Sequence, residues 1–264
     1  AGGTDLVIQM RNEMVAPDLV VDIKRIDEVR TITSEAGGFR IGAAVSGAEL
    51  GEHAELKAAW PGVVEAAELI GSTQVQGRAT MGGNLCNASP AADSVPALIA
   101  ANAVVDVVGL NGRRTVLVED VPAGPGETTL APDEIVASFL LPPRLPRSGD
   151  AYLRMIPRTE MDIAIVGVGV NLTIDDNGSC TVARVVLGAV AETALLVPEA
   201  ATALIGTAVD DAALENLAAA ASAVCRPIDD KRGTKNYRIK VAGVLARRAA
   251  KTAVKRATLE QVGG

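Results

Sequence analysis

The 264-residue sequence predicts an α+β fold. Three observations carry that expectation. Strand-length apolar runs and helical periodicities alternate, but without the regular rhythm of a doubly wound parallel sheet. An Asn-Gly pair at 111–112 sits between two such runs, where a hairpin turn belongs. Hydrophobic residues make up 48% and charged residues 22%, a composition that supports a large core and excludes disorder.

The elements follow in order. DLVIQM (5–10) and DLVVDI (18–23) read as strands. FRIGAAVSGAELGEH (39–53) reads as a strand, a turn and the opening of a helix, with Ser46 and Glu49 at capping-box spacing. Residues 54–71 have helical periodicity, interrupted by Pro61 and ended by Gly71. A short helix then precedes strands at 103–109 and 114–118, the two arms of the hairpin, and 133–143 is a further strand stopped by two prolines. PPRLPRSG (142–149) has no apolar periodicity and is the best boundary in the chain. Beyond it come a strand, a loop, a buried run to about 175, a turn and strand over 177–192, and helices near 198–206, 211–225 and 234–257.

Composition also excludes functions. The net charge is −7 and aromatic residues are 2%, so neither a basic footprint nor a stacking platform for nucleic acid is present. The basic run from KRGTKNYRIK into ARRAAKTAVKR lies at helical spacing and reads as a solvated face or a docking face for an acidic partner. Cys86, Cys180 and Cys225 are scattered and form no CxxC, so no metal site can be assembled from local thiolates, and a reducing, cytoplasmic compartment fits. No apolar run is long enough for a membrane span. His53, the only histidine, has no catalytic partner nearby in sequence and reads as a surface helix residue. No residue is a candidate catalytic acid, base or nucleophile.

Two glycine motifs carry the chemistry. AGGTD (1–5) and TMGGN (80–84) each place a Gly pair before a small polar residue. Glycine leaves no Cβ between backbone amides and a ligand, so successive N–H groups can face an anion. Thr4, Thr80 and Asn84 can add side-chain donors. Either motif alone is better explained as a tight turn. Neither GxGxxG nor GxxxxGK[ST] occurs, so the Rossmann and P-loop mechanisms are excluded. From composition alone, the pair points to a phosphate-containing ligand.

AGGTDL together with ATMGGNLCNASPAADSVPAL strongly resembles the FAD-binding, or medium, subunit of the molybdenum hydroxylases, the family of xanthine dehydrogenase and aerobic carbon monoxide dehydrogenase. GPGETTLAPDEIVASFLLP (124–142), MDIAIVGVGVNL (161–172) and PIDDKRGTKNYRIKVAGVLARRA (227–249) extend the resemblance over essentially the whole chain. It implies an FAD-binding fold of the vanillyl-alcohol-oxidase type with two α/β subdomains, about 1–50 and 51–147. A C-terminal α+β domain of the CO dehydrogenase flavoprotein type follows at 148–264. In the family a strand–helix–strand precedes the first glycine motif, so an N-terminal piece is expected upstream of Ala1.

The resemblance also implies the site. The pyrophosphate loops fall on Ala1, Gly2, Gly3, Thr4, Asp5 and Leu6 and on Thr80, Met81, Gly82, Gly83 and Asn84. Asp93 matches an acidic contact to the cofactor's sugar hydroxyls. Ile70 and Val136 match apolar positions of the flavin pocket. Arg154 falls where many members carry Lys near the flavin pyrimidine edge, a departure that matters because the two cations are not interchangeable. An exposed strand cation explains Arg154 equally well. Cys86 reads as a small buried thiol, and Asp162 reads as a turn anchor or a residue reaching the flavin or a partner.

The function implied is electron transfer. A large partner subunit would carry the molybdenum–pterin cofactor, and a small one two [2Fe–2S] clusters, in a dimer of heterotrimers. FAD on this chain would pass electrons to NAD, a quinone or another acceptor, with peripheral membrane association through that acceptor left open. AGGTD and the NLCNASPAAD continuation look nearer to the xanthine-dehydrogenase and heterocycle side of the family, a resemblance that leans toward purine, N-heterocycle or aldehyde substrates. The alternatives are the medium subunit of an aerobic carbon monoxide dehydrogenase and a stand-alone FAD-dependent reductase of the same fold.

Overall fold

The structure, a computed structural model, describes residues 1–158 and 161–259. It opens with helix α1 (Thr4–Arg11). A long irregular segment with two short 3₁₀ turns leads to strands β1 (Ile32–Glu35) and β2 (Gly38–Gly42). Helices α2 (Gly47–Glu52), α3 (Ala54–Ala59), α4 (Pro61–Glu68), α5 (Thr73–Gln76), α6 (Met81–Cys86) and α7 (Ser94–Ala100) follow. Strands β3 (Val104–Gly109) and β4 (Gly112–Leu117) form the Asn-Gly hairpin, in the register Gly109↔Gly112. A small ribbon, β5 (Pro122–Gly124) and β6 (Glu127–Thr128), precedes β7 (Ile135–Leu141). The second half contains β8 (Ser148–Met155), β9 (Val166–Ile174), β10 (Cys180–Gly188), β11 (Leu195–Leu196), α8 (Pro198–Thr202), α9 (Asp211–Ala223) and α10 (Lys235–Leu259).

The two main sheets are antiparallel. One has the order β1-β2-β7-β3-β4, the other β11-β10-β9-β8. This is the expected α+β arrangement. The first sheet takes strands from both sides of residue 50, since β2 bonds to β7.

Local sequence explains most boundaries. Ser46 caps α2 as its spacing suggests: its hydroxyl oxygen accepts from Glu49 N, and the Glu49 carboxylate accepts from Ser46 N at 2.8 Å. Pro61 occupies the first turn of α4, where its missing N–H costs nothing, so the expected interruption at Pro61 appears as two helices meeting at Trp60. His53 sits between α2 and α3 rather than within a helix, and its Nδ1 accepts from Leu56 N at 3.2 Å.

Two expected strands are absent. Residues 5–10 are helical, because Gly3 in a left-handed conformation (φ 78°) starts a helix that the apolar run DLVIQM continues. Residues 18–23 hold no strand, since no neighbouring strand among the described residues pairs with them. A β-rich sequence without a partner leaves its backbone groups to solvent.

The core has two lobes. In the first, Phe139, Ile41, Leu50, Leu56, Met81, Leu85 and Leu98 fill the space between the five-stranded sheet and the helices. In the second, Val166, Val168, Val170, Leu172 and Leu187 share one apolar cluster with residues of α9 and α10; α10 lies against β8 and β9, and α9 packs on α10. Helix α10 presents alanines to that sheet: Ala242, Ala246, Ala249, Ala250, Ala253 and Ala257 are all fully buried. Small residues bring helix and strand backbones close, and a Cβ on Gly149 would lie 1.9 Å from the Ala253 carbonyl oxygen. Helix α7 joins the lobes, with all seven of its residues buried. A Cβ on Gly169 of β9 would meet the Pro96 carbonyl oxygen of α7 at 2.5 Å.

Gly149→Ala should therefore destabilise the protein by at least the ~1–3 kcal/mol typical of overpacking, because backbone rather than a movable side chain opposes the new methyl. Urea unfolding followed by circular dichroism measures the loss. A midpoint equal to wild type would contradict the packing described.

Candidate functional site

The two glycine motifs come together in three dimensions. Ala1, Gly2, Gly3, Thr4, Asp5 and Leu6 line one side of a groove of ≈ 210 Å³, and Thr80, Gly83 and Asn84 line the other. Ile70 borders it as well. Each motif opens a helix. In α1 the first backbone bond runs from Val7 N to Gly3 O, so the amides of Thr4, Asp5 and Leu6 precede the ladder. In α6 the first runs from Asn84 N to Thr80 O, and Thr80 Oγ accepts from Gly83 N at 2.9 Å. The expected loop at 80–84 is thus the first turn of a helix with Thr80 as its cap.

Close approach explains the glycines. A Cβ on Gly2 would lie 2.0 Å from the Arg78 carbonyl oxygen, so the first motif is pressed against the residues leading into the second. Nothing lies within 4 Å of a Cβ built on Gly3, and its positive φ disfavours any side chain. Gly82 packs inward, where a Cβ would meet the Ala43 carbonyl oxygen at 2.4 Å.

A second cavity of ≈ 410 Å³ adjoins the first and shares Ala1, Gly83 and Cys86 with it. Val136 and Gly82 line this second space. The combined channel is polar at the motifs and apolar toward Ile135, Val136 and Leu130. That gradient, with glycine-backed amides at one end, fits a dinucleotide whose pyrophosphate is polar and whose ring system is flat and apolar. FAD has this form, and the residues present fit it.

Met81 does not reach the channel. It is 2% exposed and belongs to the core. Asp93 and Arg154 stand apart from the groove lining, linked to it through Asn84, whose Oδ1 accepts from Ser94 N at 3.1 Å and from Ser94 Oγ at 2.7 Å. Asp93 and Arg154 instead face each other. Arg154 Nη1 donates to Asp93 Oδ2 at 2.6 Å, and Tyr152 Oη donates to Asp93 Oδ1 at 2.9 Å. The Arg154 side chain is 7% exposed, so it is not a surface cation.

Asp162 anchors a turn, accepting from Ile163 N, Arg158 Nε and Arg232 Nε. Those hydrogen bonds hold its carboxyl down at about 2. Cys86 is exposed rather than buried, because its position on α6 faces the channel. Gln9 and Asn87 also line the groove, and Gln9 Nε2 donates to Asn87 Oδ1 at 3.3 Å. Neither stood out in the sequence; for Gln9 the helical turn after AGGTD is the missing signal. Tyr152 was equally silent, since only the fold brings β8 against Asp93.

Desolvation raises the Asp93 carboxyl to about 6, against the opposing pull of Arg154 and Tyr152. The sign of the linkage follows. A folded pKa above the unfolded value near ~4 means that the native state holds a proton the unfolded state has released. Its contribution to stability is full below pH ~4 and declines as pH rises to about 6. Asp150, also raised to about 6 by burial, adds to the same window. Carboxyl NMR of Asp93 should give a midpoint near 6, and Arg154→Met should move it upward because the guanidinium favours the ionised form. A midpoint in the ordinary range near ~4 would show that the site is wetter than described.

Comparison with known proteins agrees with this geometry. The family described as the FAD binding domain in molybdopterin dehydrogenase matches residues 1–144, and the CO dehydrogenase flavoprotein C-terminal domain matches 151–253. The carbon monoxide dehydrogenase medium chain of Afipia carboxidovorans is 33% identical over 97% of this chain and 88% of its own length. The xanthine dehydrogenase FAD-binding subunit of Escherichia coli O157:H7 is 29% identical over 96% of this chain and 87% of its own. A chain in the crystal structure of a Cu,Mo-CO dehydrogenase, in its cyanide-inactivated form, superposes with a TM-score of 0.93 at 33% identity, covering 97% of this chain and 89% of that one. The chain belongs to the family of FAD-binding subunits of the molybdopterin dehydrogenases.

Proposed function

We propose that this chain is the electron-transfer flavoprotein subunit of a cytoplasmic molybdenum-containing hydroxylase. It would receive electrons from [2Fe–2S] clusters of a small partner and deliver them to an external acceptor, NAD, a quinone or another. The large partner would oxidise the substrate at a molybdenum–pterin cofactor, in a dimer of heterotrimers. One observation carries the reading: both glycine motifs open helices onto one groove that continues into an apolar space. The proposed division is 1–147 for FAD binding and 148–264 for the C-terminal domain.

Bound FAD would supply one- and two-electron redox chemistry. The residues of this chain hold and orient it. The proposed pyrophosphate contacts are the amides and hydroxyls of Gly2–Leu6 and Thr80–Asn84, and the proposed apolar walls are Ile70 and Val136. Asp93 and Arg154 would set the charge around the cofactor as a pair, not as separate ligands. No helix among the described residues is long and apolar enough to cross a membrane.

A second reading has specific support. The 33% identity to a carbon monoxide dehydrogenase medium chain equals or exceeds the identity to xanthine and nicotinate dehydrogenase FAD subunits, against the lean drawn from AGGTD. Assaying the purified complex with carbon monoxide, xanthine, nicotinate and simple aldehydes separates the two.

Asn84→Asp keeps the acceptor for Ser94 and adds a negative charge beside the proposed pyrophosphate. FAD affinity should fall tenfold or more, with thermal stability of the flavin-free protein unchanged. Unaltered affinity would remove the second motif from the phosphate site. Purification from the native source should yield flavin absorbance with molybdenum, iron and two further chains. Full turnover by this chain alone, with FAD and no metals, would establish the stand-alone reductase instead.

A further inference from the structure

A separate cavity of ≈ 530 Å³ lies at the end of α7 remote from Asp93. It is walled by Trp60, by Asn102 beyond α7, by the Pro142–Leu145 linker and by Arg184 of β10. None of these residues belongs to the glycine channel.

Its lining combines two cations, neutral polar side chains (Asn102, Ser148, Asn171 and Thr173) and apolar residues. Arg144 and Arg184 line it, and no carboxylate does. Each guanidinium also meets a carboxylate outside the lining: Arg144 Nη2 donates to Asp150 Oδ1 at 3.1 Å, and Arg184 Nη2 to Glu119 Oε2 at 3.4 Å. Arg184 Nε donates to the Ile99 carbonyl oxygen at 3.0 Å, which fixes the guanidinium in place, while its Nη1 makes no hydrogen bond among the described residues. The Arg144 guanidinium stacks on the Trp60 indole, 4.2 Å from the ring centroid, and its Nη1 donates to Asn171 Oδ1 at 3.3 Å. Trp60 is 2% exposed, and its indole N–H meets no acceptor among the described residues. The indole ring serves the cavity as an apolar wall and as the platform that holds the Arg144 guanidinium.

From these features we propose that the cavity binds a small organic anion with a flat apolar body, an aromatic carboxylate in chemical class. The guanidinium of Arg184 matches a carboxylate in geometry and charge. Pro142, Leu145 and Val182 supply apolar walls that an inorganic ion would leave uncovered. The volume lies within the range of small-molecule sites, roughly 300–1,000 Å³. The site is independent of the flavin channel and stands whether or not the electron-transfer reading holds.

Trp60 is the only tryptophan of the chain, so its fluorescence reports directly on this wall. Titration of the full chain with benzoate should give a saturable change with a Kd below ~1 mM. Neutral benzamide should bind at least tenfold more weakly. Arg184→Met should weaken benzoate at least tenfold. Asn102→Asp guards against misfolding of that variant: residue 102 has φ 56°, a conformation that Asn and Asp both tolerate, and the change places a carboxylate in the wall. It too should cost tenfold or more with no change in thermal stability. Absence of saturation, equal binding of benzamide, or full affinity in Asn102→Asp would each overturn the proposal.

Discussion

The contact between α7 and the second sheet is the constraint on which the rest of the molecule depends. All seven residues of α7 are buried, and Gly169 lets its backbone lie directly against β9. A helix sealed on every side cannot shift without opening both lobes, because interiors pack densely and tolerate few voids. Its start and its end are consequently fixed points. Asp93 sits at one and Asn102 just past the other, so the buried ion pair and the cationic cavity inherit their positions from the same seven residues.

The Asp93–Arg154 pair then ties the lobes electrostatically. Asp93 belongs to the segment that carries the second glycine motif, and Arg154 to β8 of the second sheet. Two buried charges without each other would be costly, and with Tyr152 completing the carboxylate's hydrogen bonds they become a directional link. The Arg154 guanidinium donates through Nη1 to one oxygen of Asp93, so its charge is already partnered within the fold.

Much of this was legible in the sequence, and the failures have physical reasons. The capping box at Ser46, the Asn-Gly hairpin and the break at Pro61 are local signals, and local geometry decided them. The strands expected at 5–10 and 18–23 failed because pairing is not local: one run was captured by the helix that Gly3 initiates, and the other found no neighbour. In the site, motif residues such as Thr80 and Asn84 announced themselves, whereas Gln9, Asn87 and Tyr152 carry no signal until the chain folds. Cys86 misled because a lone thiol reads as buried on average, and only the rotation of α6 turns it to the channel.

The alanine face of α10 has a consequence for how this protein can change over generations. The obstacle to any side chain at Gly149 is a carbonyl of the helix backbone, not a neighbouring side chain. No replacement at Ala253 can make room, so the position has no single-step compensation. Variation there must wait for a displacement of the whole helix, and that would be opposed at every alanine along its length. The C-terminal lobe should therefore drift at its loops and on the charged side of α10 while this seam stays fixed.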